Sequence, residues 1–114
     1  MIELVSRSRC VSCDACVQVC PTGVFATGSD GVPVIARPDD CQTCFMCEAY
    51  CPADALYVAP EPEQHVTVNE DVLVATGALG RYRESLGWGR GRTSTARNDD
   101  SHRVLSLPAG PRPA

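Results

Sequence analysis

Eight cysteines, all in the first half of the chain, are the residues whose type and spacing could carry chemistry. The first four lie in CVSCDACVQVCP, residues 10–21, and the other four in CQTCFMCEAYCP, residues 41–52. Both stretches have the spacing C-x2-C-x2-C-x3-C-P, and the second follows the first by 31 positions. Thiols at this density could form disulfides, bind zinc or hold iron–sulfur clusters. The exact repeat calls for the same chemistry in both runs.

The spacing favours iron–sulfur chemistry over the other two uses of cysteine. Disulfides belong to oxidising compartments, and cysteines only three or four residues apart could not all pair locally without strained geometry. Structural zinc typically uses pairs of C-x2-C separated by a longer spacer, with four ligands for each ion. In C-x2-C-x2-C the chain can instead curl round a cubane so that three thiolates reach three iron atoms. Ser12, Ala15 and Thr43 are small enough to permit that curl.

Length and charge place one small domain at residues 1–59 and a separate extension at residues 60–114. The first part has three arginines against seven acidic residues, whereas the second has seven of each. No stretch approaches the roughly 18 apolar residues of a membrane span, and MIELVSRSRC lacks an apolar signal core. We therefore expect a cytoplasmic protein without membrane contact. An acidic domain with a neutral extension also argues against nucleic acid as a partner.

The elements that must position the cysteines are short. IELVS and ALYVA read as strands, GVFAT and VPVIA as a hairpin around the turn GSDG, and DACVQVC and FMCEAYC as helical turns. Pro21 and Pro52 lack an N–H and push the preceding cysteine toward extended geometry, which ends each helical turn. The apolar residues expected to surround the cysteines are Val5, Val19, Val24, Phe25, Ile35, Met46, Tyr50, Leu56 and Tyr57.

With this double motif, residues 1–59 resemble a bacterial-type ferredoxin with two [4Fe-4S] clusters. The resemblance implies an α+β fold with pseudo-twofold symmetry, two short hairpins and one short helix in each half. It also implies that each run supplies the last ligand of the other cluster. On that basis cluster one is held by Cys10, Cys13, Cys16 and Cys51, and cluster two by Cys20, Cys41, Cys44 and Cys47. So small a domain has little core of its own, and the metal is expected to supply the missing stability.

A cubane with four thiolate ligands has no open position for a substrate, so two of them indicate one-electron transfer rather than catalysis. The chain is therefore expected to be an electron-transfer protein that is not an enzyme by itself. Arg9 lies beside the first run, whereas Asp39, Asp40 and Glu48 lie beside or within the second. Since adding an electron to an anionic cluster costs more beside carboxylates, charge predicts the lower potential for cluster two.

The extension begins with the proline-acid linker APEPEQ and continues into a segment with helical spacing. A helix is predicted from a cap at Asn69 to a stop at Gly87, with Trp88 beyond it. Its apolar stripe comprises Val72, Ala75, Leu79, Tyr82 and Leu86. The remaining segment is polar apart from VLSL and a proline-rich end. Aromatic residues and arginine are enriched in interface cores, so the extension is interpreted as an extended, partly helical arm that docks on a partner.

A two-cluster domain followed by such an arm resembles the beta subunit of adenylylsulfate reductase and related small partners of FAD-containing flavoproteins of the fumarate-reductase kind. The resemblance implies that the chain is an electron-transfer subunit of an oxidoreductase complex, in which FAD belongs to the catalytic partner. A free-standing soluble ferredoxin with a disordered tail remains open as an alternative. A zinc-stabilised interaction module is a second alternative, from a different functional class.

Overall fold

The computed structural model describes residues 1–89, so the predictions for VLSL and the proline-rich end lie outside the described residues. Short strands and helices alternate along the chain in a mixed α+β arrangement, as the sequence predicts. The elements are β1 (Ile2–Val5), α1 (Ala15–Val19), β2 (Phe25–Thr27), β3 (Pro33–Ile35), a 3₁₀ turn (Pro38–Asp40), α2 (Met46–Tyr50), β4 (Leu56–Val58), α3 (Glu70–Ala75) and α4 (Arg81–Ser85).

The 31-residue repeat of the sequence is also a repeat of the fold. Helix α2 begins and ends 31 positions after α1, and β4 does the same relative to β2. Strand β1 pairs antiparallel with β4, and β2 pairs antiparallel with β3. The first strand of the domain therefore pairs with the last, while α1 packs against β2 and α2 packs against β4. The strands, the β2–β3 hairpin and the helical turns fall where the sequence predicts them. The resemblance implied two hairpins, whereas β1 and β4 are paired without a turn between them, because they stand at opposite ends of the domain.

Left-handed residues start the two short helices, and cysteines end them. Asp14 and Phe45 precede α1 and α2 with φ of 59° and 63°. At the other end, the N–H groups of Cys20 and Cys51 donate to the carbonyls four residues earlier, and both cysteines then adopt extended backbone. Proline follows each of them and cannot continue the helix. The geometry turns the fourth cysteine of each run away from the first three.

The interior consists of a few aliphatic and aromatic side chains together with alanines and cysteines. Residues buried in the domain core are Ile2, Cys16, Val24, Phe25, Cys47, Cys51, Ala53, Ala55, Leu56 and Val58. The prediction that Met46 and Tyr50 belong to this core is wrong, because they are 39% and 50% exposed. Met46 and Tyr50 are four residues apart and therefore share the exposed face of α2, whereas the three residues between Met46 and Tyr50 are buried.

The extension contains two short helices instead of the single predicted helix. Asn69 does cap α3, since its side-chain oxygen accepts a hydrogen bond from the Val72 N–H at 3.2 Å. Gly77 and Gly80 then adopt φ of 71° and 86°, and this left-handed backbone breaks the helix. The break also changes which apolar residues of the extension are buried. Val72 is 57% exposed, whereas Leu73 and Leu79 are buried.

As far as residue 89, the extension packs against the second cysteine run. Tyr82 stacks on Phe45 with ring centroids 5.0 Å apart, and Trp88 meets Tyr50 edge-on at 5.8 Å. Arg83 donates from Nη1 to the Cys51 carbonyl at 3.2 Å. The aromatic residues that suggested docking on a partner therefore have partners within the chain. Among residues 1–89, no helix has both the length and the apolar character that a membrane span needs.

Substitution of Gly80 by alanine is expected to loosen the extension from the domain. A Cβ at Gly80 would lie 2.7 Å from the Asp54 carboxyl carbon, and the residue has positive φ. Gly77 also has positive φ, but a Cβ there meets no atom within 4 Å. Gly77→Ala should therefore cost only the backbone strain of about 1–2 kcal/mol, whereas Gly80→Ala adds a steric cost of roughly 1–3 kcal/mol. Hydrogen exchange of the α4 amides would measure the difference, and equal protection in both variants would contradict this packing.

Candidate metal centres

Two cavities lie beneath the cysteine loops, and each is lined by four cysteines. Cavity one is lined by Cys10, Cys13, Cys16 and Cys51. Cavity two is lined by Cys20, Cys41, Cys44 and Cys47. Each cavity thus receives three cysteines from one run and the fourth from the other run. The structure brings together the two sets of residues that the sequence predicts, although their role as ligands stays a prediction at this point.

Packing of the helices explains why the sets cross between the runs. Helices α1 and α2 lie against each other, and Cys20 and Cys51 stand at their C-terminal ends. Because their backbone is extended, these two cysteines leave the loop of their own run. Each lines the cavity of the other run. The first three cysteines of each run stay with their own loop, where Ser12 and Thr43 adopt positive φ of 56° and 53°. Left-handed backbone at these positions supplies the predicted curl.

Apolar side chains complete both cavities. Val5, Pro33 and Leu56 line cavity one, and Ile2, Phe25 and Val58 line cavity two. The space free of protein atoms is about 330 Å³ in cavity one and about 320 Å³ in cavity two, part of it open to solvent. In residues 1–89, no group of three or more His, Cys, Asp or Glu side chains is arranged to hold a single metal ion. Four thiols round one cavity are the donor set that a [4Fe-4S] cluster requires.

Backbone amides point at several of the cysteine sulfurs. In the first run, the Ser12 N–H donates to Cys10 Sγ at 3.4 Å, and the equivalent Thr43 N–H donates to Cys41 Sγ at 3.4 Å. The sulfurs of Cys20 and Cys51 likewise accept from the amides four residues further on, at 3.4 and 3.3 Å. Donors of this kind stabilise negative charge on sulfur, and they are one means by which proteins set the potential of an iron–sulfur cluster.

Comparisons with known proteins agree with this geometry. A family model for the 4Fe-4S dicluster domain matches residues 3–52. An uncharacterised ferredoxin of Methanocaldococcus jannaschii is 51% identical over 63 residues, which cover 54% of this chain and 100% of the relative. A ferredoxin of Methanothermococcus thermolithotrophicus is 46% identical over 46 residues, covering 40% of this chain and 75% of the relative.

The chain belongs to the ferredoxin family. It is accordingly an iron–sulfur electron-transfer protein, which confirms the predicted kind of function. A further relative is the B polypeptide of polysulfide reductase from Wolinella succinogenes, 43% identical over 56 residues, which cover 47% of this ferredoxin and 29% of the relative. These three matches each span about half of this ferredoxin or somewhat less.

The thiols of this ferredoxin differ in how readily they ionise. Burial raises the pKa of Cys16 to about 11 and raises that of Cys47 further. Burial also opposes ionisation of Cys20, but the Val24 and Thr22 amides and the Thr22 hydroxyl outweigh it and lower the Cys20 pKa. Since only the thiolate binds metal, the most buried ligands release their protons when metal binds.

Glu48 is a buried carboxylate that the sequence does not distinguish from the exposed acids of this ferredoxin. It is 6% exposed, and its Oε1 accepts a hydrogen bond from the Val58 N–H at 2.7 Å. Desolvation raises its pKa to about 7, although the Val58 hydrogen bond acts in the opposite direction. Glu48 is therefore partly neutral near pH 7. The charge expected beside cluster two is smaller than the sequence alone indicates.

Two further features near the cavities were missed by sequence reasoning. Ile2 donates its N–H to Cys41 Sγ at 3.4 Å, from a position far away along the chain. The Thr22 hydroxyl lies 3.7 Å from Cys20 Sγ. Thr22 follows Cys20 by two positions, so its nearness to that sulfur could have been read from the sequence, whereas no sequence signal marks Ile2, which is 39 positions from Cys41.

Proposed function

We propose that this ferredoxin carries two [4Fe-4S] clusters and moves single electrons through them. Cys10, Cys13, Cys16 and Cys51 would hold cluster one, and Cys20, Cys41, Cys44 and Cys47 would hold cluster two. The observation that carries this proposal is the convergence of three cysteines from one run and one from the other on each cavity. When bound, a [4Fe-4S] cluster supplies a centre that accepts and releases one electron.

The chain's own residues supply enclosure, orientation and charge compensation at these centres. Apolar side chains on β1, β2 and β4 keep water from the inner side of both cavities. Amides in the loops compensate negative charge on the sulfurs. Cys13 and Cys44 are exposed, so each centre approaches the surface at the middle cysteine of its loop. These positions are the shortest routes by which electrons would enter and leave.

The proposed partner is an FAD-containing catalytic subunit, of the kind that the resemblance to the adenylylsulfate reductase beta subunit implies. A flavin handles electron pairs, whereas this ferredoxin would exchange electrons one at a time with it. The similarity to one polypeptide of a protein named as a reductase supports a role as a subunit. Within the described part of the extension, the side chains available for docking are the exposed apolar residues Val66, Val72 and Val74.

A second candidate is a free-standing ferredoxin that serves several enzymes. It is favoured by the contacts of Tyr82 and Trp88 with Phe45 and Tyr50, because these contacts pair the half-buried aromatic side chains of the extension within the chain. In this alternative, residues 60–89 protect the second cysteine run and do not bind a partner.

Iron and sulfide content tests the electron-transfer proposal directly. Full-length protein purified without oxygen should be brown and contain about eight iron atoms and about eight acid-labile sulfides per chain, four of each for every cluster. On reduction it should show EPR signals of reduced cubanes. A colourless protein that contains zinc and no sulfide would establish the zinc-stabilised module in its place.

Capture from the native cell tests the partner. The full-length holoprotein should retain a second polypeptide whose released cofactor has flavin fluorescence. The variant Val66→Ser/Val72→Ser/Val74→Ser removes exposed apolar surface without changing the cysteines or the aromatic contacts, so it should keep its clusters and lose the flavoprotein. Equal recovery of flavoprotein by the variant would refute docking through these valines. Capture of no flavoprotein by either protein would establish the free-standing ferredoxin.

A further inference from the structure

The two halves of the domain repeat the order strand, helix, strand but differ in the hydrogen-bond donors they offer to the sulfurs. With the 31-residue offset, Ile2 corresponds to Pro33, and Thr22 corresponds to Ala53. Each residue of these pairs lies beside the cavities: Ile2 and Thr22 line cavity two, Pro33 lines cavity one, and Ala53 lies in the core next to Cys51. In the first pair only Ile2 has a backbone N–H, and in the second pair only Thr22 has a hydroxyl.

Cavity two uses both of these donors. The Ile2 N–H donates to Cys41 Sγ at 3.4 Å, in addition to the Thr43 N–H on the same sulfur. The Thr22 Oγ1 lies 3.7 Å from Cys20 Sγ, which also accepts from the Val24 N–H. Toward a thiolate, which has no proton to give, the hydroxyl must be the donor.

Cavity one has the repeated donors but has neither an N–H at the position equivalent to Ile2 nor a hydroxyl at the position equivalent to Thr22. Cys10 Sγ accepts from the Ser12 N–H, and Cys51 Sγ accepts from the Ala55 N–H. Pro33 lines cavity one together with Cys10, as Ile2 lines cavity two together with Cys41, and proline has no N–H. Ala53 stands where a hydroxyl like that of Thr22 would reach Cys51, and alanine has no hydroxyl.

We infer that the Ile2 amide and the Thr22 hydroxyl raise the reduction potential of the second centre. At the equivalent positions of the first centre, Pro33 has no N–H and Ala53 has no hydroxyl. The inference rests on the proposed function, because it assigns these residues to the two clusters proposed above. Reduction adds negative charge that spreads onto the sulfurs, so a donor stabilises the reduced state more than the oxidised state. A centre with more donors accepts its electron more readily.

These donors act against the carboxylates near the second cysteine run. The Asp39 side chain is 89% exposed, so water and salt screen its charge, whereas the donors touch the sulfurs directly. The Glu48 carboxylate is buried but accepts a hydrogen bond from the Val58 N–H. The donors therefore bring the two potentials closer together than charge alone predicts, which favours passage of an electron between the centres in either direction.

Redox titration of Thr22→Val in the full-length holoprotein tests the inference. Valine keeps the shape of threonine and removes only the hydroxyl. The second centre should become harder to reduce, by about fivefold in its ratio of reduced to oxidised form at fixed ambient potential, or about 40 mV for one electron. The first centre should not change. Shifted cysteine β-proton NMR signals identify each centre through their proximity to Val5 in cavity one or Phe25 in cavity two.

Two variants of the first centre provide the matched control. Pro33→Ile introduces the N–H that Ile2 supplies in the other half, and Ala53→Ser introduces a hydroxyl at the position equivalent to Thr22. Each should make the first centre easier to reduce, by a similar factor, and leave the second unchanged. Because one variant acts through the backbone and the other through a side chain, poor folding of either leaves the other as a test.

Two results would overturn the inference: a second-centre potential that is the same in Thr22→Val and in the wild type, or equal shifts of both centres. Loss of both clusters in a variant is recognised from its iron and sulfide content. The remaining variants, which keep their clusters, then test the inference. Absence of iron and sulfide from the wild-type protein would instead refute the proposed function. The two failures are thus distinguishable.

Discussion

Complete removal of iron from the reduced holoprotein is expected to abolish the native fold of residues 1–59. The largest fully buried side chains in the described part of the chain are Ile2, Val24 and Ser6, which form too small a core for a domain of this size. The two cavities lie where a larger protein would have apolar side chains. Without clusters, the apolar side chains that line the two cavities have nothing to pack against. The bonds that would join the two cysteine runs through the metal are also lost.

The expected loss is large because metal binding and folding are the same equilibrium in such domains. Structural metal sites contribute on the order of 10 kcal/mol to folding, which exceeds the whole stability of many small domains. Near-UV circular dichroism of the aromatic residues should collapse to the signal of a denatured chain when a chelator removes the iron under reducing, oxygen-free conditions. Rebuilding the clusters with iron and sulfide should restore the signal.

A sample that has lost its metal through cysteine oxidation is the main competing explanation for unfolding. Titration of free thiols distinguishes the two, since a correctly prepared apo-protein should show all eight thiols. If that fully reduced, iron-free chain kept native-like near-UV dichroism, the clusters could not be the interior on which the fold depends.

The cysteine sites could be predicted from the sequence because their spacing is nearly a complete description of the local backbone. C-x2-C-x2-C fixes the curl of each loop, and the following Pro21 or Pro52 fixes where each helix ends. The offset of 31 then carries β1, α1 and β2 onto β3, α2 and β4, and only the 3₁₀ turn has no counterpart among these elements. Local geometry and repetition indicate the backbone of each run, whereas the grouping of cysteines across the two runs is what the resemblance to two-cluster ferredoxins implies.

Contacts that depend on distant parts of the chain could not be predicted in the same way. Ile2 reaches Cys41 only because β1 pairs with β4, and no local pattern marks it as a donor to sulfur. Met46 and Tyr50 have the composition of core residues, yet the shortness of α2 leaves them on its outer side. Similarly, helical spacing in the extension extended the predicted helix across Gly77 and Gly80, where positive φ interrupts it.

Replacement of Cys20 by alanine is expected to disable the second centre and spare the first. Cys20 follows the loop of cluster one in sequence, but it lines the cavity of cluster two with Cys41, Cys44 and Cys47. A [4Fe-4S] cluster that loses one of its four thiolates loses iron or fails to assemble. Iron content should therefore fall by about half, and the NMR signals that disappear should be those of cysteines near Phe25, not those near Val5.

Cys51→Ala is the matched variant and should have the opposite effect: the centre near Val5 is lost and the centre near Phe25 is kept. Serine at either position retains a weaker oxygen ligand, so Cys20→Ser and Cys51→Ser provide folded alternatives if alanine prevents assembly altogether. A Cys20 variant whose defect is confined to the centre of Cys10, Cys13 and Cys16 would show that each run completes its own cluster. The proposed crossing would matter for stability as well as for redox chemistry, because a ligand exchanged between halves would tie α1 to α2. In this ferredoxin, damage to either run should thus weaken the packing of both.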